Sequence, residues 1–600
     1  MSIVLGMAAS HDSSACVFRD GKLVAAVSEE RISRIKCDGG RMPRGAIDEC
    51  LRIAGLTRRD VDHIASNYDH FSDRYTNRVH NPLHKRLERA VSNSIKKLRG
   101  VENQRQVFLR HVQNDLRHLN SPRKPEEFLV TAEFLREEGF RPDCQMHFVD
   151  HHLSHAAGAA FYAGFEECAV ITMDGEGDLD IYYTASTFKD GRLQCLHVGD
   201  TPGCSPGYFY MDITEQLGFR PLRHEGKVLG LAAFGDPKPL YDKFKQCLRL
   251  SADGLNFDCD FKGGKGPTGG LKRRTAFISE AIAGHSRENV AAAAQAVFEE
   301  AIVAICRNFL KQTGMKKLAV NGGVFANVKL NQRIAALAEC EELFVFPGMS
   351  DTGNSVGSAI LALDKIEPGF MGREKHRLET VYWGTDPTRD EIKAELDRRG
   401  LKYEELPFED VVEKSAQAMH QGQVVGWFQG PMEFGPRALG NRSMVGAPTD
   451  RSINTWLNER LERTEFMPFA PSVLAEAADE LFEGVEPGRH TAEFMTITYD
   501  VKKEWHERIP AVVHVDGTAR PQLVRRDRNP KYWQLIDRYR QLSGIPLVLN
   551  TSFNVHEEPI VCGPREASQA LVDGRIDHLA IGNFWVDGPS NQKQQLAKAA

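Results

Sequence analysis

Two segments of one design constrain this chain more than any other feature: IVLGMAASHDSSACVFRDGKLVAAV from residue 3 and AVITMDGEGDLDIYYTASTFKDGRLQCLHV from residue 169. Each reads as an apolar strand, a polar turn carrying Asp12 or Asp174, a second strand, and an Asp-Gly turn (Asp20-Gly21, Asp190-Gly191) into a third. Two such units facing each other can hold a nucleotide's phosphates and a metal between their acidic, small-residue turns. The repeat therefore predicts an ATP-using core.

Composition sets the outer limits. At 600 residues, 41% hydrophobic and 26% charged, the chain exceeds one ordinary core, so two or more domains are expected. A net charge of -6 gives no support to nucleic-acid binding, which normally needs a basic excess. The twelve cysteines form no CxxC pair and the start is not signal-like, so reduced thiols and a cytoplasmic location are expected. No apolar run approaches the roughly 20 residues of a membrane span; AVFEEAIVAICRNFL is broken by Glu299, Glu300 and Arg307.

The chain divides by pattern. Residues 1-66 read as strands, a helix (MPRGAIDECLRIAGL) and a strand (HIASN), and about 70-140 as a basic helical insertion near the active-site mouth. The stretch 253-274 reads as a Gly- and Lys-rich surface loop, since it follows no strand and lacks P-loop spacing. Between 280 and 365, the strands KLAVNGGVFAN and ELFVFPGMSDTG each end in a Gly-rich turn, the usual ligand position of α/β folds. The expected organisation is a first α/β domain over 1-367, a linker at 368-386, a second α/β domain over 387-590 and a tail at 591-600.

Chemistry-bearing residues cluster at these turns. In VDHHLSHAAGAAF, His151 and His155 lie four apart, so a helix puts both imidazoles on one face, where they can ligate one metal ion; capping histidines are the plainer alternative. Asp351, before a small-residue helix start, is the candidate third ligand, and such a set suits iron(II), manganese(II) or zinc alike. In DGEGD, Asp174 and Gly175 can bind metal or admit phosphate, and in the partner turn Asp12 neighbours His11, whose neutral imidazole can take a proton from a hydroxyl nucleophile. Asn321-Gly322-Gly323 offers bare backbone to an adenine or ribose, Glu225 and Lys227 are ribose or adenine contacts, and Lys36 can reach phosphate.

Taken in order, GxxxxHDSSA, EERxSRxK, HHLSHAA, DGEGD, EGKVLGLA, NGGVFAN and SDTGNSVGSA resemble the N-terminal domain of the NodU/CmcH family of O-carbamoyltransferases. EFGPRALGNRS, FMPFAPSVL, HVDGTARPQLV and LNTSFNVHEEPIV resemble that family's C-terminal domain. The resemblance implies a duplicated actin/Hsp70/sugar-kinase-like α/β domain with a helical insertion, followed by a YrdC-like α/β domain. It implies that carbamoyl phosphate loses phosphate in the C-terminal domain, and that the carbamate attacks the α-phosphate of ATP to give carbamoyladenylate. A hydroxyl of a small-molecule acceptor, such as a secondary metabolite, then receives the carbamoyl group, with His11 as general base.

By the same resemblance His151, His155 and Asp351 hold the metal, iron(II) foremost, with magnesium possible beside ATP. Arg437 and Arg520 occupy carbamoyl-phosphate positions, suited to bidentate phosphate binding, with Asn441, Ser443, Asn550, Ser552 and Asn554 as polar contacts. Where many relatives read VKxRExFRPFAP and NTSFNVRGEP, this chain has Leu461, Met467 and His556, and Arg460, Arg463 and His556 are the candidate replacement charges. Two rival readings are a tRNA threonylcarbamoyladenosine-type enzyme and an actin-like ATP-switched binding protein. The acidic charge speaks against the first, while the HxxxH pair and Arg-bearing second half are unexplained by the other. Neither nucleic acid nor membrane is expected as a partner, and oligomeric state is unread.

Overall fold

The computed structural model describes residues 2-67, 125-262, 269-373, 376-462 and 466-588. The Asp-Gly turns behave as their residue types allow. Asp20 and Gly21 take φ of 50° and 75°, and Asp190 and Gly191 take 51° and 70°, the paired positive values of a tight hairpin turn whose twist matches its strands.

The hairpins build two like sheets. In the first, β1 (Ile3–Ala8), β2 (Ser14–Arg19), β3 (Lys22–Ser28), β4 (His63–Ser66) and β5 (Gln145–Phe148) lie in the order β3-β2-β1-β4-β5. The first three strands are antiparallel, and β4 and β5 continue parallel to β1. The second holds β6 (Glu167–Met173), β7 (Tyr183–Lys189) and β8 (Arg192–Gly199). After a small hairpin of β9 (Arg249–Leu250) and β10 (Phe257–Asp258), β11 (Lys317–Asn321) and β12 (Glu342–Val345) complete it, in the order β12-β11-β6-β7-β8. Its pairings repeat those of the first, so the duplication includes two parallel strands beyond the hairpins.

A third, mixed sheet of eight strands belongs to the second half, with Val425–Phe428, Arg442–Gly446, Leu547–Ser552 and Ala470–Leu474 among its inner strands. The architecture is mixed α/β throughout.

Two helices lie between the five-stranded sheets and position the site. His151–Tyr162 starts at Asp150, whose Oδ1 accepts the Leu153 N–H at 2.8 Å, and all twelve of its residues are buried. Asn354–Ile366 crosses it so closely that a Cβ on Gly357 would lie 1.8 Å from the Ser154 carbonyl oxygen. Only glycine permits that approach. Alanines 156, 157, 159 and 160, with Val356, Ala359, Ile360 and Leu363, fill the apolar layer between the sheets. A larger core joins the second sheet to the eight-stranded one. The helix Arg287–Thr313 has the length and hydropathy of a membrane span, but 67% of its apolar window is buried inside the protein.

One sequence expectation is corrected. The 253-274 stretch is not one loop: it contains β10 and enters the helix Gly269–Ala281. In the 368-386 stretch, expected as a linker, Arg377 bridges to Ala163, Tyr382 bridges to Glu433, and the Leu378 N–H donates to Tyr162 O at 2.9 Å. Of the expected basic insertion, residues 68-124 lie outside the described residues, as do Arg463 and the tail, while Pro125–Glu137 is a helix.

Candidate active site

The helical spacing of His151 and His155 turns both imidazoles toward the turn after β6 and the short turn Asp351–Gly353. Ligand atoms of His151, His155, Asp174 and Asp351 lie within 4.8 Å of one another. His155 Nε2 is 3.3 Å from Asp174 Oδ2 and 3.7 Å from Asp351 Oδ1, and His151 Nε2 is 3.7 and 3.5 Å from the same two atoms. Asp351 thus joins the histidines as expected from its motif. Asp174, whose turn the sequence marks as able to bind metal or admit phosphate, completes a fourth corner.

The electrostatics fit a cation. Burial disfavours a charged imidazole, yet Asp351 and Asp174 outweigh it and push His151 up to about 9. Burial likewise opposes ionisation of Asp174, but His151 and His155 hold its carboxyl well below the usual range. Asp174 Oδ2 and His155 Nδ1 are buried without a hydrogen-bond partner, costly for polar atoms unless a ligand satisfies them. Two imidazoles and two carboxylates form a donor set suited to a divalent ion. His152 stands apart, bonded to Thr172 Oγ1 at 2.8 Å and Ile181 O at 2.9 Å. Burial first, then its two histidine neighbours, brings its pKa down to about 3.

Close backbone packing fixes the surrounding turns. Asp178 Oδ2 accepts the His151 N–H at 3.0 Å, and a Cβ on Gly177 would meet the His151 and His152 rings at 2.9 Å. Ser14 Oγ reaches Thr352 O at 2.6 Å and Ser355 Oγ at 2.8 Å, tying the first sheet's turn to the Asp351 segment. On that turn His11 Nδ1 lies 3.4 Å from Asp12 Oδ2. Burial lowers the His11 pKa, but Asp12, then Asp351 and Asp174, push it up to about 9. His11 therefore sits in the field of the four-residue cluster.

The other nucleotide-side candidates divide. Glu225 lies in reach of His11's charge, although burial is the larger influence and raises its pKa; its Oε1 accepts the Leu222 N–H at 2.6 Å. Lys227 is buried, and Lys36 Nζ is 3.8 Å from Glu30. Gly175 packs near Tyr208, and Gly323 lies where a Cβ would be 3.1 Å from Asp174 Oδ1. Gly322 has φ of 104°, and a Cβ there would strike Met173 O at 2.1 Å. Asn321 is turned inward: its Nδ2 donates to His155 O at 2.9 Å and its Oδ1 accepts the Gly322 N–H at 2.9 Å. It holds the ligand helix, which neither an adenine nor a ribose contact requires. Asn354, whose Nδ2 is 3.1 Å from His155 Nε2, was not singled out in the sequence.

In the second half the loop bearing Arg437 is folded around Glu433, whose Oε1 accepts three backbone N–H groups, from Leu439, Asn441 and Arg442, at 2.7–3.0 Å. Asn550 Nδ2 donates to Ala438 O at 3.1 Å, and Gln522 Nε2, two residues beyond Arg520, donates to Leu439 O at 2.7 Å. Asn550 thus props the arginine loop, and Glu433 and Gln522 are supports that the motifs did not reveal. Ser443 Oγ accepts the Gly440 N–H at 3.0 Å, Asn441 Nδ2 donates to Pro431 O, and Asn554 Nδ2 donates to Glu558 O, while Ser552 is half-buried at a strand end.

Of the candidate replacement charges, Arg460 and His556 lie among the described residues, and each has partners within the protein. Arg460 pairs with Asp577 at 3.0 Å and lies over Trp456. His556 stacks on His224 at 5.9 Å with Nε2 3.6 Å from Glu557. Leu461 is buried, and Met467 packs on Gly230. His224, His556 and Glu557 also lie within ligand distance of one another. However, the Arg220 N–H donates to His224 Nδ1 at 3.1 Å, which places the ring proton on Nε2, directed at Glu557 at 2.8 Å, and leaves no lone pair there for a metal.

The Carbamoyltransferase N-terminus family profile matches residues 3–360, and the Carbamoyltransferase C-terminus profile matches residues 416–588. Nodulation protein NolNO of Sinorhizobium fredii is 32% identical over 96% of this chain and 79% of its own length. Nodulation protein NolO of Bradyrhizobium diazoefficiens is 32% identical over 73% of this chain and 78% of its own. Nodulation protein U of Rhizobium tropici is 31% identical over 48% of this chain and 45% of its own. Among solved structures, T. kodakarensis HypF shares 14% identity over 62% of this chain and 48% of its own at a TM-score of 0.30; at that distance the likeness carries no argument.

Proposed function

The chain belongs to the carbamoyltransferase family and is a carbamoyltransferase, and from that premise we propose that it is an ATP-dependent O-carbamoyltransferase acting through carbamoyladenylate. The observation that carries the reading is the convergence of His151, His155, Asp174 and Asp351 between two like hairpin turns, with His11 in their field. On this reading residues 1-367 form the actin/Hsp70-like nucleotide domain and 387-590 the YrdC-like carbamoyl-phosphate domain. The identical strand order of the first two sheets supports the former.

Arg437 and Arg520 bind the phosphate of carbamoyl phosphate, and one water hydrolyses it to phosphate and carbamate, with Asn550 holding the Arg437 loop in place. Carbamate released there decomposes readily in water, so transfer within the protein to the first half limits its loss. Its oxygen attacks the α-phosphorus of ATP and pyrophosphate leaves. A divalent ion held by the cluster would polarise the phosphate oxygens of the adenylate. Gly322 and Gly323 present bare backbone to the nucleoside, and Glu225, Lys227, Lys36, Asp12 and Gly175 line its polar edges.

A hydroxyl of a small-molecule acceptor then attacks the carbamoyl carbon, its proton passes to neutral His11, and AMP departs. Because Asp12, Asp351 and Asp174 hold His11 up to about 9, it accepts a proton at neutral pH only when the charge of those carboxylates is offset.

With carbamoyl phosphate, ATP and a divalent metal but no acceptor, the protein should release pyrophosphate and accumulate carbamoyladenylate. Absence of both from folded, metal-loaded protein would sink the proposal. His11→Ala should retain adenylate formation and lose transfer to an acceptor; equal loss of both steps contradicts the base role.

A further inference from the structure

Outside this machinery, Cys204 and Cys259 face each other with Sγ atoms 3.3 Å apart, buried at 1% and 3% exposure. We propose that Cys204 and Cys259 are a thiol–disulfide modification site, closed by a peroxide-class oxidant, that acts on the turn carrying Asp174.

The packing brings the two sulfurs to van der Waals contact. Cys204 ends the short turn Pro202–Cys204, and Cys259 directly follows β10. A Cβ on Gly203 would lie 2.5 Å from Phe261 O, so the two backbones already touch. Bonding needs the sulfurs to close from 3.3 Å to about 2.05 Å.

The surroundings make the pair unequal. The Cys259 sulfur faces the Phe261 N–H at 3.4 Å and the Gly203 carbonyl at 3.1 Å. Nearby Arg274 is fully buried, with Nη1 donating to Gly203 O at 2.7 Å and Nε to Asp212 at 2.8 Å. The contact with Cys204, opposed by burial and aided by Phe261 N–H and Arg274, draws the Cys259 thiol down to about 7, while Cys204 is pushed up. In the proposed step Cys259, which donates to Gly203 O as a thiol, first loses its proton and then acts as the nucleophile. It attacks one peroxide oxygen, the O–O bond breaks, and the departing oxygen leaves as water after taking a proton, giving a Cys259 sulfenic acid. The deprotonated Cys204 sulfur displaces its hydroxyl as a second water, forming the disulfide. In sum, two thiols and one hydrogen peroxide give one disulfide and two waters.

The next residue couples the pair to the candidate site. Ser205 Oγ donates to the Asp174 and Gly175 carbonyls at 3.3 and 2.8 Å, and a Cβ on Gly207 would sit 2.7 Å from Asp174 O. Drawing Cys204 toward Cys259 pulls on the support beneath Asp174. This coupling rests on the metal-cluster reading above, whereas disulfide formation does not.

The full-length protein, treated with stoichiometric hydrogen peroxide and mapped by mass spectrometry, should yield a dithiothreitol-reversible peptide pair joining Cys204 to Cys259 before the other ten cysteines react. In Cys204→Ser, dimedone should label Cys259. Oxidation of the folded protein elsewhere first, or dimedone on Cys204 of Cys259→Ser but never on Cys259, overturns the assignment. Manganese(II) retention should fall on oxidation, recover on reduction, and resist peroxide in Cys259→Ser. Unchanged retention with the disulfide mapped overturns the coupling alone.

Discussion

At the scale of single residues, the carboxylates of the candidate site make His11 and His151 hold their protons tightly. His11 and His151 are each raised from 6.5 to about 9, chiefly by carboxylates that outweigh burial. A group that binds its proton more tightly when folded stabilises the protein fully below its unfolded pKa and loses that contribution as pH rises through the folded value. Chelator-treated protein should therefore lose thermal stability from about pH 6.5 to about 9, while metal-loaded protein loses less. Asp174 and Asp351, both held low, act in the opposite sense and give up stability only as pH falls through their depressed values. A melting temperature of the metal-free protein that is flat or rising over the alkaline window would contradict this account.

The histidine pair was legible because helical period alone brings positions four apart to one face. The fourth corner, Asp174, was legible as a turn carboxylate able to bind metal, but not as a partner of the two histidines. Its approach to His155 depends on how the His151–Tyr162 helix packs on β6, and no local pattern encodes that. Asn321 shows the same limit: NGG reads as exposed backbone, yet the side chain is fully buried and supports the ligand helix.

Among elements, the crossing of His151–Tyr162 with Asn354–Ile366 matters most, since it sets His151 and His155 opposite Asp351. Gly357→Ala would drive a methyl group to 1.8 Å from Ser154 O, and the helices must separate. The expected cost is about 1–3 kcal/mol, with metal retention weakened beside it. Thermal unfolding and metal content of the variant test this, and wild-type values for both would refute the tight-crossing role. The hairpins around the helices were readable from period-two alternation and Asp-Gly turns. The helix within 253-274 was not, because Gly and Lys crowd its N-terminal approach and mask its start.

Over the whole molecule, the halves are joined by directional polar contacts as well as a shared core. Arg34 donates to Ile560 O and Pro559 O at 2.7 Å, Lys329 pairs with Asp516 at 2.8 Å, and Asn331 donates to Thr496 O at 2.7 Å. Glu557 receives His224 on one oxygen and Arg223 on the other, at 2.8 and 3.1 Å. Glu557→Gln should cost about 1 kcal/mol or less, since the group is partly exposed, yet speed amide exchange in residues 220-226 and 553-562. Unaltered exchange in both segments would show that the contact does not restrain them. Family motifs located both halves, but the stacking of His556 on His224, more than 300 positions away, is set by how the halves dock.

The four corners of the cluster arrive on the chain in a fixed order: His151, His155, Asp174, then Asp351. During synthesis the first three emerge well before the last, so a nascent chain carries three ligands and an unfinished pocket. Loop closure over that span is slow compared with local helix formation. If the cluster takes an ion as proposed, its capture in a translating or refolding sample would report the docking of Asn354–Ile366, which brings Asp351 to the other three.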